Sequence, residues 1–328
     1  MNTPMQFNTG HKNRLAAALG AGLTMLCLST VAHAAGPLPY DGALPPPNLT
    51  IVQLYNIYSS ASNYYTTNGT KLSNTSIQTD VPVFRIIHTF PPIDGMSWGL
   101  QLIQPYVKFV GTTKIGGASL TNNSGLAEPQ LSAYIKPYYD PKTDAVLTLA
   151  YFISPPSGAY DSNAALNAST NNWVNNIEAG YTHIVFGNPQ GKRLDFQIWG
   201  DAYYYGNSDN YHAGAFSGVS HTEASEQILA YLPYYIHPQT LGYLGLAFEK
   251  TWGGKQYLTG NVALPNGTSV AAGPIDTGIR NDFTRVGIDA GDFLTPTVAL
   301  QAQLSTDVQV RGGVKNDVYF LLQISKVF

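Results

Sequence analysis

Charge is scarce in this chain. Only 11% of its 328 residues are Asp, Glu, Lys or Arg, against roughly 25% in an ordinary soluble domain. There is one cysteine, Cys27. It lies in the leader described below, so the remainder supports neither a disulfide framework nor a thiolate metal site. No basic cluster suggests nucleic acid. No stretch after the leader approaches the roughly 20 apolar residues that a spanning helix requires. What the chain has instead is 12% aromatic residues, 22 of its residues being Tyr, and 32 Gly. Its apolar residues are spread in short alternating runs.

The first 34 residues have the form of an export signal. Lys12 and Arg14 make a basic start, Leu15 to Leu28 an apolar stretch, and Ala32-His33-Ala34 a small-residue cleavage site, which predicts cleavage after Ala34. Met25-Leu26 before Cys27 does not match a lipidation site. Removal of Lys12 and Arg14 takes the net charge from −3 to −5. A Pro- and Gly-rich segment, residues 35–47 (AGPLPYDGALPPP), is expected to be extended, and to lie in the periplasm or tucked inside the rest of the fold.

From residue 48 onward the pattern is that of strands. They are expected near 49–58, 76–90, 96–110, 126–139, 144–154, 173–187, 192–205, 224–236, 240–252, 281–293, 297–309 and 316–328. Leu194, Phe196, Ile198 and Ala202 alternate with Asp195, Gln197, Trp199 and Asp201. Val298, Leu300, Ala302 and Leu304 alternate with Gln301, Gln303, Ser305 and Asp307. Period two with one apolar face is a strand signature. Strand one shows no clean face, Pro105 suggests a bulge that shifts the phase of strand three, and Ile228 to Leu232 is apolar on both faces.

The links between strands sort into two kinds. Short ones carry Pro: FPPID (90–94), DPKTD (140–144), GNPQG (187–191), HPQT (237–240) and LTPT (294–297). They alternate with long polar links near 59–75, 111–125, 155–172, 206–223 and 253–280. A membrane barrel with short periplasmic turns and long external loops explains this sorting. The fold class is therefore all-β, a transmembrane antiparallel barrel of about twelve strands over residues 48–328. The chain ends on Phe328, with Val318, Phe320, Leu322, Ile324 and Lys326 on the same face. This pattern resembles the sorting signal read by the barrel-assembly machinery.

Assigning the apolar faces to lipid turns Arg85, Glu128, Lys136, Glu178, Asp195, Asp201, Glu249, Arg285, Asp289 and Asp307 inward. Three are basic and seven acidic. An Arg or Lys turned to the bilayer midplane would cost about 2–4 kcal/mol, so as a group they are expected to line the pore. No catalytic, cofactor-binding or metal-binding residues are identified. The five histidines outside the leader are all more than four residues apart, and none is followed by Ser two positions later.

From Gly125 onward the chain is similar to a family of outer-membrane barrels labelled as meta-pathway phenol degradation proteins. Gly125-Leu126-Ala127-Glu128 corresponds to its Gly-Leu-Gly-Asp-like strand start. Pro156-Ser157-Gly158-Ala159-Tyr160-Asp161 corresponds to a Pro-Thr-Gly segment followed by Tyr-Asp, and Asn171-Asn172-Trp173 to an Asn-Arg-Trp-like strand opening. Ala127, Ser157 and Asn172 depart from those motifs. The resemblance implies an outer-membrane barrel of a Gram-negative bacterium, linked to aromatic degradation and to uptake. The function expected is passive entry of small hydrophobic or aromatic compounds, without a cofactor and without enzymatic chemistry. The expected partners are outer-membrane lipid, the barrel-assembly machinery and those solutes. The alternative is a structural or adhesive barrel with a blocked lumen.

Overall fold

The computed structural model describes residues 36–328; the proposed signal segment lies outside them. Twelve long strands make up the body. They are β1 (Thr50–Tyr65), β2 (Ile77–Thr89), β3 (Ser97–Phe109), β4 (Gln130–Asp140), β5 (Ala145–Ser154), β6 (Val174–Gly187), β7 (Arg193–Tyr205), β8 (Ser225–His237), β9 (Gly242–Trp252), β10 (Asp282–Thr295), β11 (Val298–Arg311) and β12 (Gly313–Val327). Each pairs antiparallel with its sequence neighbours. The sheet closes because β1 pairs both with β2, from Thr50↔His88, and with β12, from Ile51↔Val327. Closure leaves no free edge, which a strand assembly in lipid requires.

The faces are inverted relative to a water-soluble protein. Leu246, Ile288 and Leu304 point outward and are exposed, while their alternating neighbours Asp289, Gln303 and Asp307 are buried inside. The outward row of β12, Val318, Phe320, Leu322 and Ile324, is exposed and ends on Phe328. The Lys326 ammonium in that row turns to Thr297 Oγ1 at 2.7 Å, as a snorkelling lysine at an interface does. A polar exception on the outer face lies on β1 and β2, where Asn56 donates to Asp80 at 2.6 Å.

The short links are tight turns held by their own side chains. The Asp140 carboxylate accepts from Lys142 N at 3.0 Å and Thr143 Oγ1 at 2.9 Å, and Asp144 takes a left-handed conformation; this is Asx-turn chemistry. At the next turn Gly187 has φ +94° and lies against the backbone of Lys192, where a Cβ would collide.

Several expectations need correction. β1 runs on to Tyr65 and β12 begins at Gly313, so the barrel stands taller there than the pattern indicated; irregularities around Ser60–Asn63 break the alternation and hide the continuation. Pro105 does not shift the phase: Gly99, Gln101, Ile103, Pro105, Val107 and Phe109 all face inward. Instead β3 changes partner there, from β4 to the short strand Gly125–Leu126. On β8, Leu229 and Tyr231 face inward and pack with Trp199 and Ala247, so that part of the lumen wall is apolar. The links 206–223 and 253–280 are not irregular. They form a four-stranded antiparallel sheet of Ser208–Ala213, Phe216–Thr222, Gln256–Ala263 and Ser269–Asp276, packed on Tyr211, Phe216 and Leu258.

The face assignment predicts different responses to a charge and to a methyl at two outward positions. Ile288→Arg, outward and midway along β10, is expected to destabilise the barrel by about 2–4 kcal/mol. Gly200→Ala, whose added methyl would meet only the Gln227 carbonyl at 4.0 Å, should change stability little. Reversible unfolding in lipid vesicles, followed by tryptophan fluorescence, measures both. Equal small effects would contradict the orientation.

Candidate functional site: an occupied lumen

The segment from Gly36 to Pro47 runs inside the barrel, toward the end that carries the short turns. A single 3-10 turn, Pro39–Gly42, lies at its centre. Proline at its start fixes φ and lacks an N–H, and the Asp41 carboxylate accepts from Leu38 N at 2.9 Å to close the turn. Gly42 passes Thr182 so closely that a Cβ would overlap it.

Six strands hold this segment. From β2, Arg85 Nη1 reaches both Asp41 oxygens at 3.2 and 3.3 Å, and Arg85 Nε donates to Gln101 Oε1 at 2.8 Å. From β4, Lys136 Nζ donates to the Asp41 carbonyl at 2.9 Å. Thr182 on β6 and Gln197 on β7 donate to the carbonyls of Gly42 and Pro39, at 3.4 and 3.0 Å. Tyr40 stands edge-on to Tyr243 of β9, with ring centroids 5.3 Å apart, and tilts against Phe293 of β10 at 5.1 Å. Its hydroxyl donates to the Leu241 carbonyl at 2.9 Å. The backbone polar groups of an irregular segment in a lumen must be satisfied by the wall, and these side chains do so.

The other expected lining residues fall into separate groups. Arg285 is the centre of one: its Nε donates to Asp307 at 2.8 Å and its Nη1 to Glu249 at 3.1 Å, and the guanidinium stacks 4.0 Å from the Tyr319 ring. Gln227 completes Glu249, and the Asn316 backbone and side chain complete Asp307. Asp195 pairs at 3.1 Å with Arg193, a residue the sequence reading passed over because it begins a strand. Asp289 is buried opposite Gly245. Glu178 and Asp201 are direct partners across β6 and β7.

Glu128 is buried and lines the first cavity, but it stands outside the strand expected to carry it. It precedes β4 and lies at the end of the barrel that carries the long loops. Its Oε1 accepts from Ser169 Oγ at 2.5 Å, Thr170 N at 2.7 Å, Thr170 Oγ1 at 3.1 Å and Asn171 N at 3.0 Å. These bonds fold residues 164–169 inward, where Leu166 is fully buried in the apolar cluster that also holds Val107, Phe109 and Ile115. Gly158 is needed there: a Cβ would come within 2.9 Å of Glu128 N. The Ala159 amide bonds the Leu126 carbonyl at 2.7 Å. The three motif segments around Gly125, Pro156 and Asn171 thus form one contact.

Among the described residues, the lumen wall holds cavities of ≈ 130 and ≈ 140 Å³, and Gly36, Tyr203 and Tyr205 line both. Among the described residues, no group of three or more His, Cys, Asp or Glu is placed to hold a metal ion.

A closed twelve-stranded barrel with an apolar exterior and a charged lumen is a transmembrane β-barrel of the outer-membrane type. Residues 61–221 match the family described as putative MetA-pathway of phenol degradation, and over that stretch the chain is similar to that family. It is similar to an outer membrane channel from Pseudomonas putida F1, with a TM-score of 0.74 and 22% identity, covering 89% of this chain and 100% of that one. The NanC porin (8% identity, 84% and 98% covered) and the transport unit of the autotransporter AIDA-I from Escherichia coli (11%, 98% and 100%) match at TM-scores of 0.43 and 0.42. No curated protein sequence matches.

The Glu128 contact predicts a contrast between two variants. Glu128→Ala removes a charged acceptor of four bonds, each worth about 1.5–3 kcal/mol when one partner is ionised, and should release residues 155–172 to limited proteolysis. Glu128→Gln keeps one acceptor oxygen and should remain more resistant. Indistinguishable digestion of both variants and the parent would show that the carboxylate does not hold the loop.

Proposed function

We propose that the chain is a passive outer-membrane channel for small hydrophobic or aromatic compounds. The observation that carries this reading is the lumen itself. Beside the N-terminal segment it holds cavities walled by rings (Phe152, Trp199, Tyr203, Tyr205, Tyr231) and charged groups. An apolar cavity of about 150 Å³ accepts benzene, so each cavity is of the size of one aromatic ring. Twelve strands fall between the eight that side chains fill and the sixteen that leave an open channel. The family description, which names phenol degradation, supports the same solute class. The similar barrel from Pseudomonas putida is described as a channel.

In this reading Arg85, Lys136, Glu178, Asp201, Glu249, Arg285, Asp289 and Asp307 line the path, with Asp195 at its short-turn mouth and Glu128 holding the loop at the other. With Asp41 and Arg193 added, the acidic groups outnumber the basic ones eight to four, so the path favours neutral and cationic solutes. Phe328 and the outward row before it serve as the signal for the assembly machinery. The segment Gly36–Pro47 is the barrier to flow, and its presence also supports the second reading, a structural barrel with a blocked lumen.

Removing the barrier separates the two. The half-buried Arg85–Asp41 pair ties the segment to the wall, so Asp41→Ala should loosen the segment. Planar-bilayer recording is expected to show small, cation-preferring conductance in the parent and a several-fold larger one in Asp41→Ala. Liposome uptake should be faster for phenol than for a sugar of similar size. Silent bilayers and unchanged uptake for both proteins would leave the structural reading. Marked anion selectivity would contradict the lining assignment.

A further inference from the structure

We infer that the cavity beside the N-terminal segment contains a binding site for an organic ammonium ion, formed by Glu178, Asp201 and Asn176 and walled by aromatic rings. This deepens the channel reading by naming the class of solute held.

Four acids line this cavity, Asp41, Glu128, Glu178 and Asp201, and two bases, Arg85 and Lys136. The bases are already engaged. Arg85 binds the Asp41 carboxylate, and Lys136 donates to the Asp41 carbonyl. Glu128 is satisfied on one oxygen by neutral donors from residues 169–171. Glu178 and Asp201 remain. They face each other across adjacent strands, and like charges directly opposite are unfavourable unless something lies between them.

The acceptors around this pair lack donors. Asp201 Oδ1 accepts from Asn176 Nδ2 at 2.8 Å, but Asp201 Oδ2 and Asn176 Oδ1, both buried, have no partner among the described residues. Glu178, 8% exposed, makes no hydrogen bond among the described residues. Glu128 Oε2, also buried in the cavity wall, has no partner among the described residues. Buried acceptors of this kind are normally satisfied, and the residues that carry them line one cavity.

The chemistry of the walls selects the occupant. A calcium ion takes six to eight oxygen ligands, more than two carboxylates and an amide supply. An ammonium group has three donors and no acceptor, which suits these oxygens. Tyr134, Phe152, Trp199, Tyr203 and Tyr205 line the same space, and aromatic faces attract a cation and accommodate an apolar body. The volume, ≈ 130 Å³, is that of a single ring. The site therefore takes a protonated aromatic amine in preference to an aromatic carboxylate.

Equilibrium binding tests this without requiring passage through the barrel. The full, exported protein in detergent would be titrated by calorimetry with benzylammonium, benzyl alcohol and benzoate. Saturable binding of one benzylammonium per barrel is expected, with benzyl alcohol and benzoate each at least tenfold weaker. In Glu178→Gln/Asp201→Asn, benzylammonium should lose at least tenfold in affinity while benzyl alcohol changes little. The competition among the three probes on the parent protein decides the matter even if the variant does not fold. Equal binding of benzoate or benzyl alcohol by the parent overturns the proposal. So does no saturable binding, whether the acidic pair is simply hydrated or already neutralised by an amine of the chain itself. A barrel that conducts but fails this test keeps the channel reading and loses the ammonium site. One that binds but does not conduct keeps the site alone.

Discussion

The structure depends on one constraint: within lipid, every strand must find a partner for its backbone, so the sheet must close. β1 supplies the closure by pairing with β2 on one side and β12 on the other. Once the sheet is closed, the two faces of each strand meet two different media. Apolar residues go to lipid, and whatever charge the strands carry goes inward. The low charge of the chain follows from this geometry, because only half of each strand can carry any.

Closure with twelve strands also leaves an interior that wall side chains do not fill. The charges inside then need partners at short range. Arg285 finds two acids from neighbouring strands, and Arg193 finds Asp195 and Asp144. Arg85 has no acidic partner on a neighbouring strand and takes Asp41 from the N-terminal segment. The segment thus supplies the wall with a counter-charge as well as volume. That role explains why an irregular stretch rich in Pro is stable in a lumen: its carbonyls accept from Lys136, Thr182 and Gln197, and its missing proline N–H groups need nothing.

Much of this was legible in the sequence, and the reason is periodicity. A strand with lipid on one side must alternate, so β7, β9, β10 and β11 declared both their positions and their faces. Turn chemistry at Asp140 and Gly187 marked the short ends. What periodicity could not show were relations between distant segments. Residues 35–47 have no repeat, and the contacts of Tyr40 lie far along the chain, with Leu241, Tyr243 and Phe293. Glu128 continues the alternation of its neighbours, yet Pro129 and the bonds to residues 169–171 take it out of the strand. The external sheet was hidden because its strands are polar, and because Gly218 and Gly260 meet face to face, where Gly reads as a loop residue. Trp199 was visible on the inward face, but its packing with Leu229 and Tyr231 was not.

The family motifs acquire a physical meaning in this setting. Gly125, Gly158 and Asn171 lie far apart in sequence and are brought together where β3 changes partner and β4 has not yet begun. The wall would be open at that point. Ala127 N closes part of it on the Pro105 carbonyl at 3.0 Å, and Gln104 Nε2 donates to the carbonyls of Pro105 and Ala127. The Glu128 carboxylate then anchors the loop that covers the inside. Gly158 has no Cβ because the backbone of Ala127 and Glu128 occupies that space. The motif residues therefore seal a gap in the ladder and shape the long-loop mouth. The proposed solute chemistry of the lumen is left to other residues, Glu178, Asp201 and the rings beside them, which stand on regular strands where one side chain can change without opening the wall.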